Sequence, residues 1–187
     1  MATSEAFLTL ATAFGLATAA GLNAYIPLLL VAVLSRLTSL ITISAPYDAL
    51  GSWWVIGTLT ALMIVEILVD KMPAADTAND IVHTVIRPAA GAILFAASTS
   101  VIGLHPVLAA VCGVILAGGV HAAKAGGRPV VTATTAGIGN PVVSTIEDLI
   151  SLVTSLLAIV APYVVLAFVI IALSLLIWRY ERRRASR

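Results

Sequence analysis

Long apolar runs, almost free of charge, follow one another along this chain and leave it few possible folds. A helix needs roughly 17 to 25 mostly apolar residues to cross a bilayer. Segments at about residues 6–35, 52–70, 88–104, 106–122, 143–161 and 162–179 meet that requirement. The junctions His105-Pro106 and Ala161-Pro162 divide runs that would otherwise be overlong, because proline lacks a backbone donor and disfavours helix in the residue before it. Of the 187 residues only 10% are charged and 60% are hydrophobic, whereas a soluble domain has about a quarter of its residues charged. The expected fold class is an all-α integral membrane protein with six transmembrane helices in a single transmembrane domain over residues 1–187. The opening MATSEAFLTL has no basic n-region, and Arg36 is the first basic residue, so the first apolar segment is expected to stay in the mature protein. The lone Cys112 excludes an intramolecular disulfide and a cysteine-based metal site.

The basic residues give an orientation, since cytoplasmic loops carry the Lys and Arg excess. Six spans with the tail RYERRRASR (residues 179–187) inside also put Lys71, Arg87, Lys124 and Arg128 inside, and leave only Arg36 outside. Both termini are then expected in the cytoplasm, in the plasma (inner) membrane. Trp53 and Trp54 fall at the outer interface and Trp178 and Tyr180 at the inner one, as an aromatic belt requires. The basic tail abuts a span, so it reads as a topology anchor on anionic lipid and not as a nucleic-acid site.

Two places invite a broken helix. The first segment is too long for one perpendicular span and contains Gly21, Asn23 and Pro27; it either tilts or breaks over residues 21–27. The second is Gly126 to Val143, GGRPVVTATTAGIGNPVV, in which Asn140 reads as an N-cap and Pro141 as a first helical residue. What precedes them over residues 126–142 is expected to be a loop or a re-entrant segment. The chain also divides into three spans in residues 1–104 and three in 105–179, which would make inverted repeats. A weak echo accompanies that division, with GLNA at Gly21 and GVHA at Gly119 followed later by Glu66 and Glu147.

Charge inside such a chain needs a reason, because ionisable groups within a membrane are costly and mark pathways, relays or buried pairs. After Pro73, Asp76, Asp80, His83 and Arg87 recur on one helical face opposite Ala78, Ile81, Val82 and Val85. That pattern predicts an amphipathic helix at the cytoplasmic surface, with Arg87 snorkelling outward. Asp76, Asp80 and His83 are also the candidate ligands for a divalent cation, the one cofactor the sequence suggests. Glu66 and Asp70 lie one turn apart near the inner end of the second span, with Lys71 following; Glu66 lies deeper. The fifth span carries Ser144, Asp148, Ser151 and Ser155 at helical spacing, with Glu147 alongside, so this face is expected to meet protein or water. His121 and Lys124 end the fourth span. Glu66, Asp70, His121, Lys124, Glu147, Asp148, Asn23 and Asn140 are the candidate binding or coupling residues, and Lys71, Arg87 and Arg128 the gating or charge-balancing ones.

GLNAYIP, VEILVDKMPAADTANDIVHTVIRPAAGA, HAAKAGGRP and NPVVSTIEDL, in that order, resemble a family of small multi-spanning bacterial membrane proteins catalogued only as a domain of unknown function. The resemblance runs from about Gly21 to the fifth span, and it implies that Glu66, Asp70, Lys71, Pro73, His83, Arg87, Pro88, Lys124, Asn140, Glu147 and Asp148 are family-type positions. It implies no activity. Other motifs fail: the further aspartates of a membrane prenyltransferase and the PSGH segment of a lipid phosphatase are missing. The chain also has no Gly-x-Ser-x-Gly elbow, Walker loop or HExxH helix. The function expected is binding and transport of a small solute or ion through a polar cluster on the cytoplasmic half. Two alternatives are a structural or assembly subunit and a metal-dependent enzyme on lipid headgroups. The expected partners are the lipid bilayer, the solute or ion, and a second copy of the chain.

Overall fold

The structure, a computed structural model, describes residues 3–70 and 76–162, with the side chains of 76–80 excepted, and positions 164, 167, 170, 171, 174, 175, 178, 179 and 182 beyond them. Its helices are α1 (Thr3–Leu22), α2 (Tyr25–Leu37), α3 (Trp53–Val69), α4 (Asp76–Thr99), α5 (Pro106–Thr135) and α6 (Asn140–Val160). Among the described residues, four stretches are long and apolar enough to cross a membrane: α1, Ile81–Ile102, α5 and α6. The 13 residues of α2 and 17 of α3 extend only about 20 and 26 Å at 1.5 Å per residue.

The first apolar segment is not one span. α1 ends at Leu22 and α2 starts at Tyr25. Asn23 makes the break possible, because its Oδ1 accepts hydrogen bonds from the Tyr25 and Ile26 N–H groups at 3.0 and 3.1 Å. Those are donors of a new first turn, which have no intrahelical partner. Pro27 sits in that same turn, where its missing N–H costs nothing.

The chain reverses there. Leu8, Thr9 and Thr12 of α1 share a cavity of about 420 Å³ with Leu40–Thr42, which follow α2, and with Ile159 at the end of α6. The Ser44 N–H donates to Ser100 Oγ at 3.4 Å, and Arg36 lies 5.8 Å above the Trp53 ring. Phe14 meets Phe95 edge-on at 5.3 Å. The six helices therefore alternate in direction between a far end, where α1 begins, and a near end, where it stops. The N-terminal helix starts at the far end, opposite Lys124 and Arg128. A single span over 6–35, with its start on their side, is thereby corrected.

The repeat expectation is corrected as well. Residues 10–17 of α1 pack beside 109–116 of α5, and Leu22 beside Lys124. The two helices that carry GLNA and GVHA thus run in the same direction, whereas halves of an inverted repeat would oppose them.

Two further expectations change. α5 runs unbroken through Gly126, Gly127 and Pro129 to Thr135, so the glycine-rich stretch is neither loop nor re-entrant. The connection to α6 is Ala136 to Gly139, reversed by left-handed Ala136 (φ 51°) and Gly137 (φ 83°). Asn140 is the first residue of α6 and Gly139 takes the cap position. Nor does α4 lie on the surface with its charges outward. Ile81, Val82 and Val85 are 69%, 56% and 73% exposed, while His83 and Arg87 are buried. An amphipathic helix inside a bilayer turns its apolar face to lipid, so the charged face is the one that packs.

α1 is the hub, packed against α4, α5 and α6, while α6 barely touches its sequence neighbour α5. Small residues permit this: Ala11, Ala13, Gly15, Ala17, Ala19, Ala20 and Gly21 are all buried. α4 and α5 meet backbone to backbone at Gly91 and Gly113, where an added Cβ would strike the opposite carbonyl.

The reversal at Asn23 is checked by labelling from either side of the membrane, using single cysteines at exposed Ser4, Ser39 and Ile138 in a Cys112→Ser background. Ser4 and Ser39 should label from one side and Ile138 from the other; Ser4 labelling with Ile138 would restore the single first span.

Candidate functional site

α1 stops inside the bundle while its neighbours continue. α5 runs from Lys124, which donates to the Leu22 carbonyl at 3.1 Å, on to Thr135. The room below Leu22 is filled by charged side chains from α3, α4, α5 and α6. Buried there are Asn23, Glu66, Asp70, His83, Arg87, His121, Lys124, Arg128, Asn140 and Ser144. A carboxylate or guanidinium in such a place needs a counter-charge and hydrogen bonds, since desolvating each costs several kcal/mol.

The deeper part centres on Glu66, 2% exposed, and Arg87, 0% exposed. Arg87 Nη2 donates to Glu66 Oε1 at 3.2 Å, and Arg87 Nη1 donates to His121 Nδ1 at 3.0 Å. A guanidinium has only donors, so His121 Nδ1 must accept and its ring proton sits on Nε2. That N–H faces Thr84 Oγ1 at 3.1 Å. His83 Nδ1 lies 3.3 Å from Glu66 Oε1, and its ring meets Tyr25 edge-on at 5.9 Å. Among the described residues, Glu66 Oε2 and His83 Nδ1 are buried without a hydrogen-bond partner.

The shallower part is an ion-pair chain. Lys124 Nζ lies 2.9 Å and Arg128 Nη2 3.1 Å from Glu147 Oε2, and Arg128 Nη2 lies 3.8 Å from Asp70 Oδ2. Ser144 Oγ donates to the same Asp70 oxygen at 3.0 Å. Asn23, with Oδ1 committed to capping α2, turns Nδ2 to Asp148 Oδ1 at 2.9 Å. Asn140 exchanges hydrogen bonds with Thr132 at 3.1 to 3.2 Å. One residue, Asn23, thus ends a helix, starts another and fixes an acid 125 positions away.

Of the residues singled out from sequence, Asn23, Glu66, Asp70, Arg87, His121, Lys124, Arg128, Glu147 and Asp148 are brought together. Asn140 stands at the edge, tied to α5 through Thr132. Lys71 and the side chains of Asp76 and Asp80 lie outside the described residues. His83, read as a metal ligand beside those aspartates, faces Glu66, and with the two aspartate side chains outside the described residues that ligand set stays an expectation; among the described residues no group of three or more His, Cys, Asp or Glu could hold a metal ion. The serine stripe of α6 faces inward, and Ser151 Oγ donates to the Ala19 carbonyl at 3.0 Å. Thr84, Tyr25, Thr132 and the Leu22 carbonyl were not expected at the site. Thr84 had a signal, since it lies one helical turn before Arg87.

Alternating apolar helices around a buried ion-paired core define the class: an all-helical protein of integral-membrane type with a polar centre toward one end. Residues 10–182 match the family described as Domain of unknown function (DUF4126), and the chain belongs to that family. No curated protein and no solved structure matches it.

The Asn23–Asp148 contact is checked by exchange. Asn23→Asp retains a cap acceptor but sets two carboxylates face to face, and should cost about 2 kcal/mol or more of stability. Adding Asp148→Asn should recover most of that loss in thermal unfolding of the detergent-solubilised protein. No recovery would remove the contact from the account.

Proposed function

We propose that the protein is a carrier that binds a small solute or ion at the cluster and couples its movement to a proton held at Glu66. The observation that carries this reading is the Glu66 carboxylate: inside the bundle, with one oxygen on Arg87 and the other without a hydrogen-bond partner among the described residues. A buried carboxylate with an unused oxygen next to a histidine can take and return a proton. Arg87 links it to His121, which gives the coupling a physical route toward Lys124 on the same helix. The break at Asn23 supports the reading too, since non-helical backbone at membrane depth is tolerated where it lines a polar cavity. On the distribution of basic residues we place the cluster toward the cytoplasm, in the plasma membrane, with a second copy as the expected partner.

A second reading has its own observation. Each of Lys124, Arg128 and Arg87 is matched by an acid, which is what a structural or assembly subunit with register-fixing ion pairs would also need.

The two readings separate in proteoliposomes loaded with a pH-sensitive dye and challenged with a panel of small solutes against protein-free vesicles. The carrier reading predicts a solute-dependent change of internal pH that Glu66→Gln abolishes. Solute flux with unchanged proton movement in folded Glu66→Gln would remove the coupling role, and no flux for any solute would favour the structural reading.

A further inference from the structure

α5 and α6 are joined by a four-residue turn yet stand apart, and between them, beside that turn, lies a cavity of about 170 Å³. Lys124, Gly127 and Arg128 line it from α5, and Asn140, Val143 and Glu147 from α6. A Cβ added at Gly127 would meet nothing within 4 Å. Two cations on this wall share one acid, because a single carboxylate oxygen, Glu147 Oε2, takes both Lys124 Nζ and Arg128 Nη2.

Glu147 is also the loosest member of that trio, with its side chain 13% exposed against 1% for Lys124 and 8% for Arg128. The two cations have other anchors. Lys124 holds the Leu22 carbonyl at 3.1 Å, and Arg128 lies 3.8 Å from Asp70, which Ser144 orients. Neither of these contacts involves Glu147. The first turn of α6 adds a partial positive charge on the same side.

We propose that Lys124 and Arg128 are the recognition site for a small carboxylate solute, and that Glu147 is a tethered carboxylate seated where the solute's carboxylate binds. The solute displaces Glu147 toward its exposed side and keeps the charge between the cations at one carboxylate. A cavity of about 170 Å³ holds several waters and suits a small monocarboxylate. Asn140, whose side chain borders the cavity, faces the part of the solute beyond its carboxylate. This inference rests on the carrier reading for its biological use, but binding itself is measured without transport.

The test is titration of the purified full chain in nanodiscs with acetate and propionate, and with chloride and phosphate as comparison arms, by calorimetry. A tethered competitor acts at high effective concentration, so Glu147→Gln should bind acetate at least about tenfold tighter than wild type. Lys124→Gln should lose binding. Glu147→Asp, which keeps the charge but withdraws it by one methylene, should fall between wild type and Glu147→Gln, and it decides the matter where Glu147→Gln does not fold. Binding that is absent from every variant, or unmoved by Glu147 and Lys124 substitution, overturns the site. Chloride or phosphate binding as tightly as acetate overturns the carboxylate class. Binding as expected without flux in vesicles leaves the site standing and removes the carrier reading.

Discussion

The early end of α1 is the constraint on which the rest depends. A helix of small residues lets α4, α5 and α6 close tightly around it at the far end, and its stop at Leu22 leaves the near end without a central helix. Lipid cannot enter that space, and an empty cavity of such size would forfeit packing on every side. Charged side chains occupy it because they come from several helices at once and can satisfy one another. Lys124 on the Leu22 carbonyl is the junction between the two regimes.

This arrangement also settles which electrostatic contacts matter. An exposed ion pair is worth about 1 kcal/mol or less, whereas losing one partner of a buried pair costs about 3 to 5 kcal/mol. Glu66 with Arg87 belongs to the second kind, as both side chains are essentially inaccessible. Glu147 stands between the two, buried enough to feel Lys124 and Arg128 and exposed enough to leave them. The cluster therefore has a fully buried part at Glu66 and Arg87 and a partly exposed part at Glu147 beside a cavity.

Much of this was legible in the sequence because membrane insertion is a strong constraint. Apolar length marked the stretches that became α3, α4, α5 and α6, while most of the sixth segment, 162–179, lies outside the described residues; Asn23 with Pro27 marked a break, and the serine spacing on α6 marked an inward face. The acids and bases that converge were named from their cost in a membrane alone. What was not legible depends on tertiary partners. Asn23 does not announce whether a broken helix continues or turns back, and its partner Asp148 lies far along the chain. The stripe of His83 and Arg87 looked like a surface face because periodicity finds two faces without saying which one meets lipid. Gly126, Gly127 and Pro129 looked like a loop, but α5 tolerates them within a long helix. Pairings such as Glu147 with two cations need three dimensions to be seen.

On the proposal above, the gap between α5 and α6 beside Lys124 and Arg128 is a hydrated binding cavity and not a dry ion-pair lock. The direct measurement is the reaction rate of a small anionic thiol reagent with single cysteines at Gly127 and Val143, which border the cavity, against one at Ala109 in the apolar core, all in a Cys112→Ser background. A hydrated cavity gives fast modification at 127 and 143, slowed by acetate, and none at 109. Rates at 127 and 143 as low as at 109 would contradict it.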